Sequence, residues 1–150
     1  MRFEQVVTVA APRSVVWALL MDVPRVAACV PGAEAVTPVD GDRYHGALRV
    51  QVGPVRLRFE GEIAIIERDE TTGRAALRLD AADRGAGSGV AARVDLVVRD
   101  VDGASELGIV TDAQILGRLG DFGQPIIKRK ADQLAAEFAR NLERAAVAAA

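Results

Sequence analysis

Residues 87–116 read GSGVAARVDLVVRDVDGASELGIVTDAQIL, and this stretch decides the fold. Val90, Ala92, Val94, Leu96 and Val98 alternate with mostly polar neighbours as far as Asp102-Gly103, a pair that favours a tight hairpin turn. The alternation resumes in Leu107, Ile109, Thr111, Ala113 and Ile115. Successive side chains of a strand point to opposite faces, so period two marks a strand with one face buried. Two long antiparallel strands, 87–100 and 103–116, are predicted. Working backward, the same pattern gives strands at 72–82 (Leu77, Leu79), 54–68 (Val55, Leu57, Phe59, Ile63, Ile65), 42–52 (Tyr44, Leu48, Val50, Val52) and 33–39. Thr72-Gly73, Gly53-Pro54 and Asp40-Gly41 supply the turns between them. Residues 2–9 add a first strand with Phe3, Val7 and Val9 on one face.

The period changes at both ends of this meander. Pro12 opens a short helix over 12–21, because proline is tolerated at a helix start. It presents Val16, Leu19 and Leu20 inward beside Trp17, and a second helical turn at 23–28 precedes Pro31-Gly32. A long helix at 124–145 carries the stripe Ile127, Ala131, Leu134, Phe138, Leu142 and Ala145, with residues 146–150 expected to fray. Consecutive hairpins require an antiparallel sheet, and the helix must bury its stripe on the sheet's apolar face. The expectation is an α+β helix-grip fold: one domain over 1–150, a curved seven-stranded antiparallel sheet around a long C-terminal helix, with two short helices after the first strand.

Composition narrows the function. Half of the 150 residues are hydrophobic but only 4% are aromatic, so the core has few bulky fillers. A formal charge of −2 supplies no field for nucleic acid. Lys128 and Lys130 are the two lysines among 19 basic residues; the arginine and alanine bias suggests a GC-rich bacterial genome. Cys29 stands alone, which excludes an internal disulfide. The N-terminus lacks a signal-peptide core and no window approaches the ~18 apolar residues of a membrane span. The chain is expected to be cytoplasmic, with at most peripheral contact at the inner face of the membrane.

A concave sheet lined by Tyr44, Leu48, Val50, Leu57, Phe59 and Ile63, then Val94, Leu96, Ile109, Thr111 and Ala113, suits a container for an apolar molecule. Phe122, Ile127 and Leu134 would close it from the helix side. Tyr44 and Thr111 are the inward residues whose hydroxyls could meet a ligand carbonyl, although a tyrosine hydroxyl at the rim or on backbone is an equal reading. The interior has none of the paired acids, histidine or cations of a catalytic site, so no catalytic residue, metal or cofactor is expected. His45 belongs to the outer face with Arg43 and Arg49. Asp83 to Gly89 reads as a bulged, mobile hairpin at the cavity mouth, opposite a flexible glycine connection at Gly117, Gly120 and Gly123. Cys29 has only Arg25 as a cationic neighbour, which gives little support for a reactive thiolate. Leu119, Phe122, Ile126 and Ile127 beside Arg118, Lys128, Arg129 and Lys130 form the candidate contact with a membrane surface.

Several segments together carry a family resemblance. Val9-Ala10-Ala11-Pro12, Val16-Trp17-Ala18-Leu19-Leu20-Met21-Asp22 and Val26 to Glu34 with its Pro31-Gly32 resemble the carbon monoxide dehydrogenase CoxG family. Tyr44-His45-Gly46, Val50 to Pro54, Phe59-Glu60-Gly61, Asp83 to Gly89 and Gly117 to Gly123 fit the same pattern. The resemblance covers about residues 3–142 and implies a START-like, polyketide-cyclase-like (SRPBCC) fold that binds hydrophobic ligands. It also implies partnership with molybdenum hydroxylase subunits of the carbon monoxide dehydrogenase type, in assembly, membrane association or electron transfer to quinone. Some members carry a linker and a hydrophobic anchor; residues 1–150 show neither, so any membrane contact is expected to be transient. Three roles follow: a carrier of an isoprenoid quinone or similar lipid, an assembly or recruitment factor, and a cyclase or hydrolase acting on a hydrophobic substrate.

Overall fold

The computed structural model describes residues 1–149. Seven strands form one antiparallel sheet: β1 (Arg2–Val9), β2 (Thr37–Asp40), β3 (Arg43–Val52), β4 (Val55–Asp69), β5 (Arg74–Asp83), β6 (Ser88–Val101) and β7 (Ala104–Gly117). Their order is β1-β7-β6-β5-β4-β3-β2, so only the β1–β7 pair joins strands distant in sequence. Helices α1 (Arg13–Met21) and α2 (Val23–Ala27) carry the chain from β1 to β2. After β7 a 3-10 turn at Arg118–Phe122 leads into α3 (Gln124–Ala149). This is the helix-grip arrangement expected from the alternation.

The turns explain why these strands pair as they do. Asp102 and Gly103 both take positive φ, 51° and 82°, which matches the twist of a two-residue hairpin. At Gly53 (φ 57°) the proline that follows fixes the second turn position. Arg13 staples the β4–β5 turn to α1: Nε donates to the Val98 carbonyl at 3.3 Å, and Nη2 donates to those of Glu70 at 2.8 Å and Thr71 at 3.3 Å. Ser105, fully buried, donates to the Ala11 carbonyl at 2.7 Å and ties β7 to the start of α1.

Two boundaries differ from the sequence expectation. The strand expected at 33–39 starts only at Thr37, and Ala33 makes a single bridge to Leu48. The Pro31-Gly32 turn delivers residues 32–34 to the edge of β3, where Arg49 N–H donates to the Gly32 carbonyl and Glu34 N–H to that of Ala47. Pro38 has no N–H to extend the ladder, and the register shifts between Pro38 and Asp40. The tail expected to fray at 146–150 is helical through Ala149, because Ala146 is buried in the core; Ala150 lies outside the described residues.

Two buried clusters hold the sheet to its helices. The first joins Val9, Val16, Trp17, Leu19, Leu107 and Leu142, where α1 and the second half of α3 cover one end of the sheet. The second joins Phe3, Leu57, Phe59, Ala113, Leu119 and Ile127 at the other end, under the 3-10 turn and the start of α3. The most buried face of α3 is Ala135, Ala139, Leu142 and Ala146, displaced from the expected stripe toward small residues. Alanines let the helix axis approach β1 and α1 closely, which longer side chains would prevent.

Candidate functional site

Between the two clusters runs a band of inward side chains that belongs to neither. Its floor is built row by row: Tyr44 pairs with Ile63 across β3–β4, and Ile65, Leu77, Val94 and Thr111 stand opposite one another from β4 to β7. Leu48 adds to it two rows from Tyr44, beyond Gly46. All are half-buried, although each points to the same face as the fully buried Phe59 and Ala113. Apolar side chains on the core face of a sheet that keep solvent contact line an open hollow.

The floor is shallow at one place for a structural reason. Gly46 and Gly61 face each other on β3 and β4, and Ala81 follows on β5. A Cβ at Gly61 would lie 2.0 Å from the Asp80 carbonyl oxygen, so β4 and β5 come together there in a way only glycine allows. A Cβ at Gly46 would meet Val36 Cγ2 at 3.2 Å, which places Val36 over β3 as a lip of the hollow.

Helix α3 forms the opposite wall. Asp132 accepts from Gln5 Nε2 at 3.0 Å and Glu143 accepts from the Ala10 N–H at 2.9 Å, so this edge of the helix faces β1. Asn141 Nδ2 donates to the Cys29 carbonyl at 2.8 Å, so the other edge faces the chain that follows α2. Leu134 and Phe138 lie seven and three residues before Asn141 and share that second edge, toward the hollow.

Of the residues read from the sequence as lining, Tyr44, Leu48, Ile63, Val94, Thr111 and Leu134 are gathered around the hollow. Val50, Leu57, Phe59, Ala113, Phe122 and Ile127 pack in the end under the 3-10 turn, while Leu96 and Ile109 pack against the α1 end. These two groups wall the hollow. Neither the Tyr44 nor the Thr111 hydroxyl bonds to protein, and no sealed side-chain polar atom among the described residues lacks a partner. Both hydroxyls are therefore reachable by solvent. Gln5, Val36 and the paired glycines escaped the sequence reading. The parity of Tyr44-Gly46-Leu48 and Phe59-Gly61-Ile63 already puts both glycines on the inner face.

Three other sequence expectations are corrected. The β5–β6 connection contains no bulge, since the register runs unbroken to the Asp83–Ser88 pair. It touches the 3-10 turn instead of lying opposite it: Ser88 Oγ accepts from the Leu119 N–H at 3.2 Å. The Asp83 carboxylate accepts from the Arg58 N–H at 2.8 Å and the Ala86 N–H at 3.0 Å, and these bonds, the Arg58 one foremost, hold its pKa below the usual value. Among the apolar residues expected at a membrane, Leu119 and Ile127 are core, because the 3-10 turn tucks them under α3.

The remaining polar groups do structural work. His45 Nε2 lies 3.4 Å from Glu60 on the outer face. Cys29 is buried and donates to the Arg25 carbonyl at 3.6 Å; loss of solvent raises its pKa, so the thiol form is favoured. Among the described residues, no three His, Cys, Asp or Glu side chains gather as metal ligands. Two depressions lie on the outer face, one of about 470 Å³ where Arg2 pairs with Asp112 and Arg93 with Asp95, and one of about 740 Å³ where Arg58 pairs with Glu60.

A seven-stranded antiparallel sheet gripping a C-terminal helix, with half-buried apolar side chains between them, defines a helix-grip protein. The chain belongs to the carbon monoxide dehydrogenase CoxG family, whose model matches residues 6–147. No curated protein matches its sequence. Among solved structures it is similar to a conserved protein from Geobacillus kaustophilus (TM-score 0.88, 16% identity, 99% of this chain and 96% of that one). It is similar also to an aromatase/cyclase from Streptomyces sp. R1128 (TM-score 0.70, 19% identity, 97% and 93%). Norcoclaurine synthase from Thalictrum flavum gives a TM-score of 0.64 at 15% identity, over 98% and 86%. At these identities the likeness establishes the shared fold.

Proposed function

We propose that this protein holds and carries a hydrophobic small molecule, quinone- or lipid-like, without transforming it, in the service of a molybdenum hydroxylase of the carbon monoxide dehydrogenase type. The observation that carries the reading is the half-buried apolar band between two closed cores. A tail laid on Leu77, Val94 and Leu134 would lose water at ~0.8 kcal/mol per methylene. The unpartnered hydroxyls of Tyr44 and Thr111 offer hydrogen bonds to a head such as a quinone carbonyl. The non-enzymatic part of the proposal rests on what faces the hollow: the Tyr44 and Thr111 hydroxyls and apolar carbon, with Gln5 committed to Asp132, the inward carboxylate Asp83 to backbone N–H groups, and a single lysine, Lys130, at the mouth.

Decyl-ubiquinone tests it. Saturation to about a hundred times Kd should raise the melting temperature by roughly 5–10 °C for a domain of this size. Val94→Phe should fill the hollow and abolish the shift while the protein stays folded. Val94 is the better site than Ala92 or Ala113, which are buried and would be overpacked. An undiminished shift in Val94→Phe would place the ligand elsewhere. Failure of every apolar ligand to shift the wild type would favour a recruitment role, for which the exposed cations beside Ile126 are the supporting feature.

A further inference from the structure

Lys130 stands apart from the other cationic residues. Among the described residues three arginine or lysine side chains are half-buried: Arg13, Arg93 and Lys130. Arg13 is satisfied by three carbonyls, and Arg93 by Asp95 with Glu67 nearby. Lys130 has no acceptor, while its neighbour Lys128 is paired with Asp132 at 2.7 Å.

Its direction follows from the helix. Eleven residues are close to three full turns, so Lys130 and Asn141 project to nearly the same side, ~16 Å apart along the axis. Asn141 is fixed to the Cys29 carbonyl and closes one end of the gap between α3 and the chain after α2. Leu134, one turn after Lys130, lines the hollow between them, and Phe122 packs at the opposite end of the gap. Side chains lean toward the N-terminus of their helix, so the Lys130 side chain starts out toward the stretch of gap between Leu134 and Phe122. Glu137 is the half-buried acid on this side, seven residues or about 10 Å further along the axis, beyond ion-pair reach.

We propose that Lys130 binds the acidic head of the cargo at the mouth of the hollow, so that the ligand is a long-chain amphiphile carrying a carboxylate or similar anion, tail inward. This rests on the hydrophobic-cargo reading and narrows it, from quinone-like or lipid-like molecules to anionic lipids. The apolar floor accepts the tail without selecting among heads. A half-buried lysine without a partner selects one, because its ammonium can make a charge-assisted bond to an anionic head and none to a neutral one.

The test is displacement of the neutral dye N-phenyl-1-naphthylamine by laurate, dodecanol and decyl-ubiquinone. Wild type should prefer laurate over dodecanol by about ten-fold, the size expected of one charge-assisted hydrogen bond. Lys130→Met should reduce that ratio to near one and leave dodecanol affinity unchanged, and Lys130→Arg should keep the preference. Melting curves of both variants confirm that the fold persists. Equal binding of laurate and dodecanol to wild type, a preference that survives Lys130→Met, or tighter binding of the neutral quinone than of laurate would overturn the assignment while leaving the carrier standing. If the dye and all three ligands fail to bind, the hollow is not a ligand site and both readings fall.

Discussion

Glycine at 117 and glycine at 87 both take positive φ, 78° and 64°, yet substitution should affect them very differently. A Cβ at Gly87 would meet nothing within 4 Å, so Gly87→Ala costs only the backbone preference, about 1 kcal/mol. A Cβ at Gly117 would fall 1.7 Å from the Gly87 carbonyl oxygen, and the β5–β6 connection would have to move away from β7. Gly117→Ala should therefore cost roughly 2–4 kcal/mol, conformational strain plus displacement of a packed turn. Urea denaturation of the two variants checks this; equal losses would mean that the contact between the two loops is dispensable. The sequence marked both positions as glycine-rich loop and could not distinguish them. A turn in open water and a turn pressed against another turn's carbonyl carry the same residue, and only the tertiary contact separates them.

Along α3 the sequence showed the period but not the depth of burial. Leu134 and Phe138 stand out by size but are only half-buried, whereas Ala135, Ala139 and Ala146 are buried beside Leu142. Alanine gives no hydropathy signal strong enough to mark a contact face, so periodicity places that face about one position off. The distinction is measurable. Ala139→Leu should destabilise the protein by about 1–3 kcal/mol through overpacking against the α1 end of the sheet. Leu134→Ala should cost about 1 kcal/mol, below the usual core range, because Leu134 is only half-buried. The same truncation should weaken the binding of a long-chain ligand severalfold, a loss Ala139→Leu reproduces only by unfolding. If Leu134→Ala proved the more destabilising of the two, α3 would be packed on its large residues and the hollow would be filled. The short strand β2 shows the converse: the alternation over 33–39 is real, but the Pro31-Gly32 turn leaves only a single bridge at Ala33, and Pro38 has no N–H to extend the ladder.

At the scale of the whole molecule, the topology and the apolar inner face were legible because period two survives in every long strand. The split of that face into two closed ends and an open middle was not, since Leu57 and Leu77 read alike until the helices are placed over them. The same holds for the outer surface near the start of α3. Leu119, Phe122 and Ile127 looked available to a membrane, but the fold spends them on the core and leaves Ile126 and Leu116, 44% and 64% exposed. Arg118, Arg129 and Lys130 lie in the same segment with no ion pair among the described residues, while the chain as a whole carries −2. No described helix is long and apolar enough to cross a bilayer, so a contact here would be interfacial. With ~1 kcal/mol per basic residue near an anionic surface, three such residues give weak binding that salt removes. The protein should sediment with phosphatidylserine-rich vesicles at about 20 mM salt and be released by about 150 mM, where the Debye length has shrunk to ~8 Å. Charge reversal of Arg118 and Arg129 together should abolish sedimentation, Ile126→Ser should reduce it, and Phe122→Ser should act mainly by loosening the core. Wild-type protein that stays in the supernatant at low salt would mean that cargo reaches its destination through a partner protein, and the cationic segment would then be the surface to test against acidic patches on that partner.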